Sequence, residues 1–114
     1  MFNLSNATIE GFVVRQPDSK ITKSGKSLCN FSLAVNHDST KNDDKNVSFY
    51  DVETWDKLAE ICADHVKKGK KLMVMGMLKQ DRWKNEDGKS RSKIKIIGRE
   101  IRFLELPGAE AKAS

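Results

Sequence analysis

Three features of the sequence predict an all-β chain, folded as a small five-stranded Greek-key barrel with one short helix between its third and fourth strands. Apolar and polar side chains alternate in separate runs near residues 4–15, 29–36, 49–55 and 93–103, the period of a strand with one buried face, and a further strand at 72–79 is apolar on both faces. One run alone, Leu58, Ile61, Cys62 and Val66, has the i, i+3, i+4, i+8 spacing of a helical stripe. Two long basic arms are joined by Asn85-Glu86-Asp87-Gly88, the signature of a hairpin tip.

A chain of 114 residues is enough for one hydrophobic core without disulfides or metal, whereas two halves would each be too small to stand alone. The domain is expected over residues 1–106, with Pro107 ending the order and 107–114 forming a short disordered tail. Cys29 and Cys62 sit in apolar contexts without C-x-x-C spacing, and the N-terminus lacks the basic stretch and apolar run of a signal peptide. Buried thiols in a cytoplasmic protein are the expectation, and no window approaches the roughly 18 apolar residues of a membrane span. Twenty-one Lys and Arg against 16 Asp and Glu give a net charge of +5, which favours acidic partners such as nucleic acid. The charge is clustered: Lys67, Lys68, Lys70 and Lys71 form one group, and Lys79, Arg82, Lys84, Lys89, Arg91, Lys93 and Lys95 surround Trp83. A solvated face is the plainer reading of each.

In the first strand Ala7, Ile9, Gly11 and Val13 share one side and Thr8, Glu10, Phe12 and Val14 the other, with Gly11 free to let the strand coil or bulge. Pro17-Asp18-Ser19 breaks it, and residues 22–26 read as a turn around Gly25. The second strand places Cys29, Phe31, Leu33 and Val35 inward and Asn30, Ser32, Ala34 and Asn36 outward. Residues 38–46 hold no apolar side chain and form a surface loop, from which Lys41 and Lys45 could reach a phosphate.

Residues 49–60 carry three of the chain's eight aromatics at the point where strand gives way to helix. Tyr50, Val52 and Thr54 fall on one face; Phe49, Asp51, Glu53 and Trp55 fall on the other. A core would not hold two unpaired carboxylates, so Phe49 and Trp55 are expected to look toward solvent or a ligand. The alternative is a strand buried on both sides, or one with a bulge. Asp56 is a candidate N-cap for the helix, Lys67 and Lys68 suit its negative end, and Gly69 is placed to stop it. His65 lies in its last turn without a second metal ligand at suitable spacing.

Leu72, Val74 and Leu78 alternate with Met73, Met75 and Met77, a strand apolar on both faces. One face can fill the core while the methionines meet a second copy of the chain; the competing reading is that the helix covers them. Ile94 and Ile96 then oppose Lys93 and Lys95, and Ile101 and Phe103 resume the apolar face.

The element order, in a basic chain with a long hairpin between the last two strands, fits the barrel that holds oligonucleotides on one sheet face and its loops. The chain also resembles the bacterial single-stranded DNA-binding protein family over residues 4–104. The resemblance is carried by the Gly11 to Pro17 spacing, Thr22-Lys23-Ser24-Gly25, Asn30-Phe31-Ser32-Leu33-Ala34-Val35-Asn36, Trp55-Asp56-Lys57-Leu58-Ala59-Glu60, Lys67-Lys68-Gly69, and Arg82-Trp83 with Asp87-Gly88.

This resemblance implies base stacking on Phe49, Trp55 and Trp83, while a further family aromatic falls at Ser39 or a neighbour, where this chain has none. It places phosphate contacts best on Arg15, Lys57, Lys79 and Arg82, and the basic hairpin adds Lys84, Arg91 and Lys93. It further implies a homotetramer, in agreement with an interface through Met73, Met75 and Met77, and a role in replication, recombination and repair. Asp51 departs from the pattern: unless Lys or Arg screens it, it should weaken binding or shrink the site. So does the chain's end, where the family's acidic partner-recruiting tail is not found. A primosome-type accessory protein acting through protein partners is the alternative. An enzyme has little support, because no nucleophile, metal cluster or phosphate-cradling glycine loop has motif-like spacing, and no cofactor is implied.

Overall fold

The computed structural model describes residues 3–37 and 46–104. The loop with Ser39, Lys41 and Lys45, and the expected tail at 107–114, lie outside the described residues.

In chain order the elements are β1 (Ala7–Val13), β2 (Asp18–Ile21), β3 (Ser27–Asn36), β4 (Val47–Trp55), α1 (Asp56–His65), β5 (Lys71–Lys84) and β6 (Ser90–Leu104). Five strands close into a ring: β1 pairs with β5, β5 with β6, β6 with β4, β4 with β3, and β3 again with β1. All these pairings are antiparallel except β4 with β6, which run parallel. The all-β class, the five ring strands and the single helix between the third and fourth of them are as expected.

Alternation sets what the ring encloses. Val13, Cys29, Phe31, Leu33, Val52, Leu72, Val74 and Ile96 fill its interior. Leu33, Val52, Leu72, Val74 and Ile96 are essentially inaccessible, and each such side chain contributes about 1.5–3 kcal/mol by leaving water. Thr54 joins them because its hydroxyl donates to the Cys29 carbonyl at 2.8 Å, so its burial strands no polar atom. The β5 to β6 hairpin closes at Gly88, whose φ of 81° is a conformation side chains disfavour. There Gly88 N donates to Asn85 O at 2.9 Å and Lys89 N to Asp87 Oδ1 at 3.1 Å.

Several local expectations are corrected. The break falls before residues 17–19: β1 ends at Val13, Val14 N still donates to Ser32 O, the chain bends at Arg15, and Asp18 and Ser19 already belong to β2, which pairs with the otherwise open edge of β3 from Asp18 opposite Asn30 to Ile21 opposite Ser27. Gly11 keeps regular pairing opposite Leu72; its bare Cα instead lets β3 approach, since a Cβ would stand 2.5 Å from the Ala34 carbonyl oxygen. The bulge falls between Met75 and Gly76. On β3, Leu28 and Ser32 are buried too, and Val35 is only half-buried.

The helix also differs. Strand β4 runs into it without a spare residue, so Trp55 is the N-cap with no side-chain capping bond, and Asp56 turns the chain at φ 58°. It stops at Val66, whose burial pulls the backbone into an extended conformation, so Gly69 serves the following turn. Ala59, Cys62 and Val66 face the sheet, while Ile61 is exposed. The helix packs on β3, β4 and β2, and Met73, Met75 and Met77 remain half-buried on the outer side of β5.

Candidate nucleic-acid interface

Strands β3, β4, β6 and β5 lie side by side, and alternation puts a second set of side chains on their outer face. On β4 this set is Phe49, Asp51, Glu53 and Trp55. Phe49 stands opposite the small Ala34 and is 66% exposed. Trp55 is half-buried at the end of the strand, beside the turn residues Thr22, Ser24 and Lys26. Trp83, 46% exposed, sits opposite Arg91 on the hairpin arm, on the side of β5 that also carries Lys79 and Asp81.

The carboxylates of this face are paired, contrary to the premise from which its exposure was inferred. The parallel register sets Asp51 opposite Lys95 and Val52 opposite Ile96. Asp51 takes the ammonium of Lys93 on one oxygen and the Ser32 hydroxyl on the other at 2.6 Å. Partial burial alone would raise its pKa; the hydrogen bonds from Lys93 and Ser32, with the charges of Lys93 and Arg15, outweigh that and hold it below the usual carboxylate value. Asp51 is thus screened by a Lys and an Arg, the condition under which its repulsion of a phosphate backbone is offset. Glu53 accepts the indole N–H of Trp55 on Oε2 and the Lys95 ammonium on Oε1, each at 2.7 Å. Lys95 reaches on to Asp81 Oδ2 at 2.7 Å. Desolvation would lower the Lys95 pKa, but its bonds to Asp81 and Glu53 raise it, and the Lys95 hydrogen bond lowers that of Asp81.

Asp51, Glu53, Asp81, Lys93 and Lys95 surround a cleft of about 330 Å³, lined also by Arg15, Gln16, Asp18, Asn30 and Ser32. Four carboxylates (Asp18, Asp51, Glu53, Asp81) and three cations (Arg15, Lys93, Lys95) leave it near neutrality. Positive charge free of such pairing lies at its edge and beyond: among the described residues Arg15 at the cleft, Lys79 and Arg91 on the adjoining arm, and Lys57, Arg82 and Lys84 elsewhere join no ion pair. The floor therefore suits neutral, flat groups and the rim suits anions.

The structure brings Arg15 and Lys93 to the cleft, keeps Phe49 and Trp55 on the same β4 face as its Asp51 and Glu53, and sets Lys79, Trp83 and Arg91 on the adjoining arm. It separates others. Arg82 and Lys84 point to the opposite face of the arm, where the Arg82 guanidinium donates to Gln80 Oε1 at 3.1 and 3.2 Å. Lys57 is exposed in the first turn of α1, two residues past Trp55. Sequence reasoning missed Lys95 and Asp81 as parts of the site. Lys95 stood in the basic cluster, but only the pairing of β6 between β4 and β5 gives it two carboxylate partners. Among the described residues no group of three or more His, Cys, Asp or Glu could hold a metal ion, and no helix is long and apolar enough to cross a membrane.

The chain is 34% identical to the single-stranded DNA-binding protein of Treponema pallidum over 99% of its own length, and spans 65% of that relative. It is 38% identical to single-stranded DNA-binding protein 1 of Synechocystis over 95% of its length, spanning 87% of that relative. For single-stranded DNA-binding protein 2 of Chlorobaculum tepidum the values are 35%, 91% and 73%. Among solved structures, a Plasmodium falciparum SSB in complex with ssDNA superposes with a TM-score of 0.80 at 21% identity, covering 92% of this chain and 98% of that one, which shows a shared fold. The profile of the single-strand binding protein family matches residues 4–104, and the chain belongs to that family.

Proposed function

We propose that this chain binds single-stranded DNA without sequence preference, over a domain spanning residues 1–106, and acts as a binding protein rather than a catalyst. The observation that carries the reading is that Phe49, Trp55 and Trp83 lie partly or largely exposed on the outer side of one sheet, the first two on the β4 face whose Asp51 and Glu53 line a near-neutral cleft, with unpaired cations at the cleft and on the hairpin arm. Every base has a π face, so stacking is indifferent to sequence; Arg15, Lys79, Arg91 and, on release from Asp51, Lys93 neutralise phosphates. Lys57 extends this contact along the helix, and Arg82 and Lys84 offer phosphate contacts to a strand that wraps to the opposite face of the arm. The test is titration with poly(dT) while following tryptophan fluorescence. Quenching at low salt is expected, with affinity falling about 0.7 log units per decade of salt for each phosphate neutralised. Trp55→Ala should weaken binding by about 1–3 kcal/mol, and retained affinity would reject its role.

We further infer a homo-oligomer, a tetramer by family resemblance, joined through the half-buried Met73, Met75 and Met77, acting in DNA replication, recombination and repair in the cytoplasm. Met75→Glu should reduce the mass seen by light scattering; an unchanged assembly would sink this interface. One observation favours a second reading: the carboxylates lining the cleft suit a primosome-type accessory protein acting mainly through protein partners. Capture of purified replication proteins that does not depend on added single strands would support it over the first.

A further inference from the structure

We propose that Glu53 and Lys95 are positioning residues for Trp55: the Glu53 carboxylate, anchored by Lys95, grips the indole edge and fixes the ring before DNA arrives. This deepens the stacking role proposed for Trp55 and rests on it. Trp55 ends β4 at the abrupt turn into α1 and is only half-buried, so packing alone leaves its ring room to move. Its N–H is held by Glu53 Oε2 at 2.7 Å. A carboxylate on a strand surface would ordinarily be mobile, but Glu53 is 15% exposed and its second oxygen is tied to Lys95. Lys95 is itself tied to Asp81, so the clamp spans β4, β6 and β5. The Lys95 side chain is 18% exposed and its ammonium lies 2.7 Å from each of two carboxylates, so it is engaged in holding them, which separates it from the unpaired cations.

The clamp reverses the sign expected from charge alone. Removing a carboxylate from a groove that binds a polyanion should tighten binding, and doubly so when a lysine loses one of its partners. If Glu53 orders the ring in advance, its removal transfers the ordering cost to the binding step, and binding weakens.

The experiment uses the full chain with Trp83→Phe, which leaves Trp55 as its sole tryptophan, and compares it with Glu53→Val and Glu53→Gln added. Affinity for dT oligomers and the time-resolved fluorescence anisotropy of the free protein are measured, with circular dichroism reporting the fold. Glu53→Val is expected to raise Kd about two- to twelvefold and to add fast depolarisation of Trp55. Glu53→Gln keeps an acceptor for the indole but loses the ion pair, and should fall between. Lys95→Met should also loosen the ring, and Lys95→Arg, which can keep both ion pairs, should not. Unchanged or tighter binding by Glu53→Val, with unaltered depolarisation, overturns the clamp while the DNA reading stands. Absence of dT binding by the Trp83→Phe parent overturns the stacking reading and the purpose of the clamp together.

Discussion

Asp51 provides the sharpest test of how charge is arranged on the proposed DNA face. Asp51→Asn keeps the shape of the side chain and an acceptor for the Ser32 hydroxyl, but releases Lys93 and removes one negative charge near Arg15. The Lys93 and Asp51 side chains are 60% and 36% exposed, so solvent screening limits the loss of stability to well under about 1 kcal/mol. On DNA the effect has the opposite sign. One more phosphate neutralised steepens the salt dependence by about 0.7 log units per decade, and an exposed pair of this kind corresponds to about two- to fivefold tighter binding at 50 mM salt. Between 50 and 200 mM salt that advantage should shrink by about 2.6-fold, a change of about 0.4 in log K. The assay is a fluorescence titration with dT oligomers at four salt concentrations, for wild type and Asp51→Asn in parallel. A slope that is unchanged or shallower in the variant would refute the argument that Asp51 holds Lys93 in reserve.

Three further outcomes are expected. Gly76→Ala should destabilise the fold by about 1–3 kcal/mol, because the added Cβ would lie 2.0 Å from the Ile97 carbonyl oxygen at the bulge; an unshifted denaturant midpoint would reject this. The lowered pKa values of Asp51 and Asp81 contribute stability that is present above the unfolded value, about 3.9, and is lost as pH falls through the folded values, while that of Lys95 is present below 10.5 and is lost as pH rises through its raised folded value. Chemical denaturation should accordingly show a plateau from about pH 5 to 9 with losses on both sides, and a decline between pH 7 and 5 would contradict the assignment. Burial pushes the Cys62 thiol up to about 11 and raises that of Cys29, so both should resist a thiol reagent at neutral pH until the chain unfolds, as a time course with and without denaturant will report.

Much of this protein is legible in its sequence, because alternation is a local property. The two-residue period along 29–36 and 49–55 determines which side chains turn inward, and the core at Leu33 and Val52 follows from it without knowledge of strand order, whereas 72–79 is apolar on both faces and only the closed ring turns Leu72 and Val74 inward. The same period places Phe49 and Trp55 on one face, and Asp87-Gly88 determines where the basic arm folds back. Local signals misled where the chain answers to distant partners. Strand β2 forms past Pro17 because the edge of β3 is open to it, and α1 begins without a capping side chain because β4 runs straight into the helix. The carboxylates beside the aromatics show the division best. Sequence alone supplied Asp51 and Glu53 as charges on an aromatic face, and from that the face was known to be polar. Whether they repel a ligand or organise the site depended on the parallel pairing of β4 with β6, which brings Lys93 and Lys95 to residues some forty positions earlier. Side-chain period is written into neighbouring residues, whereas register between distant strands is settled only when the whole ring closes.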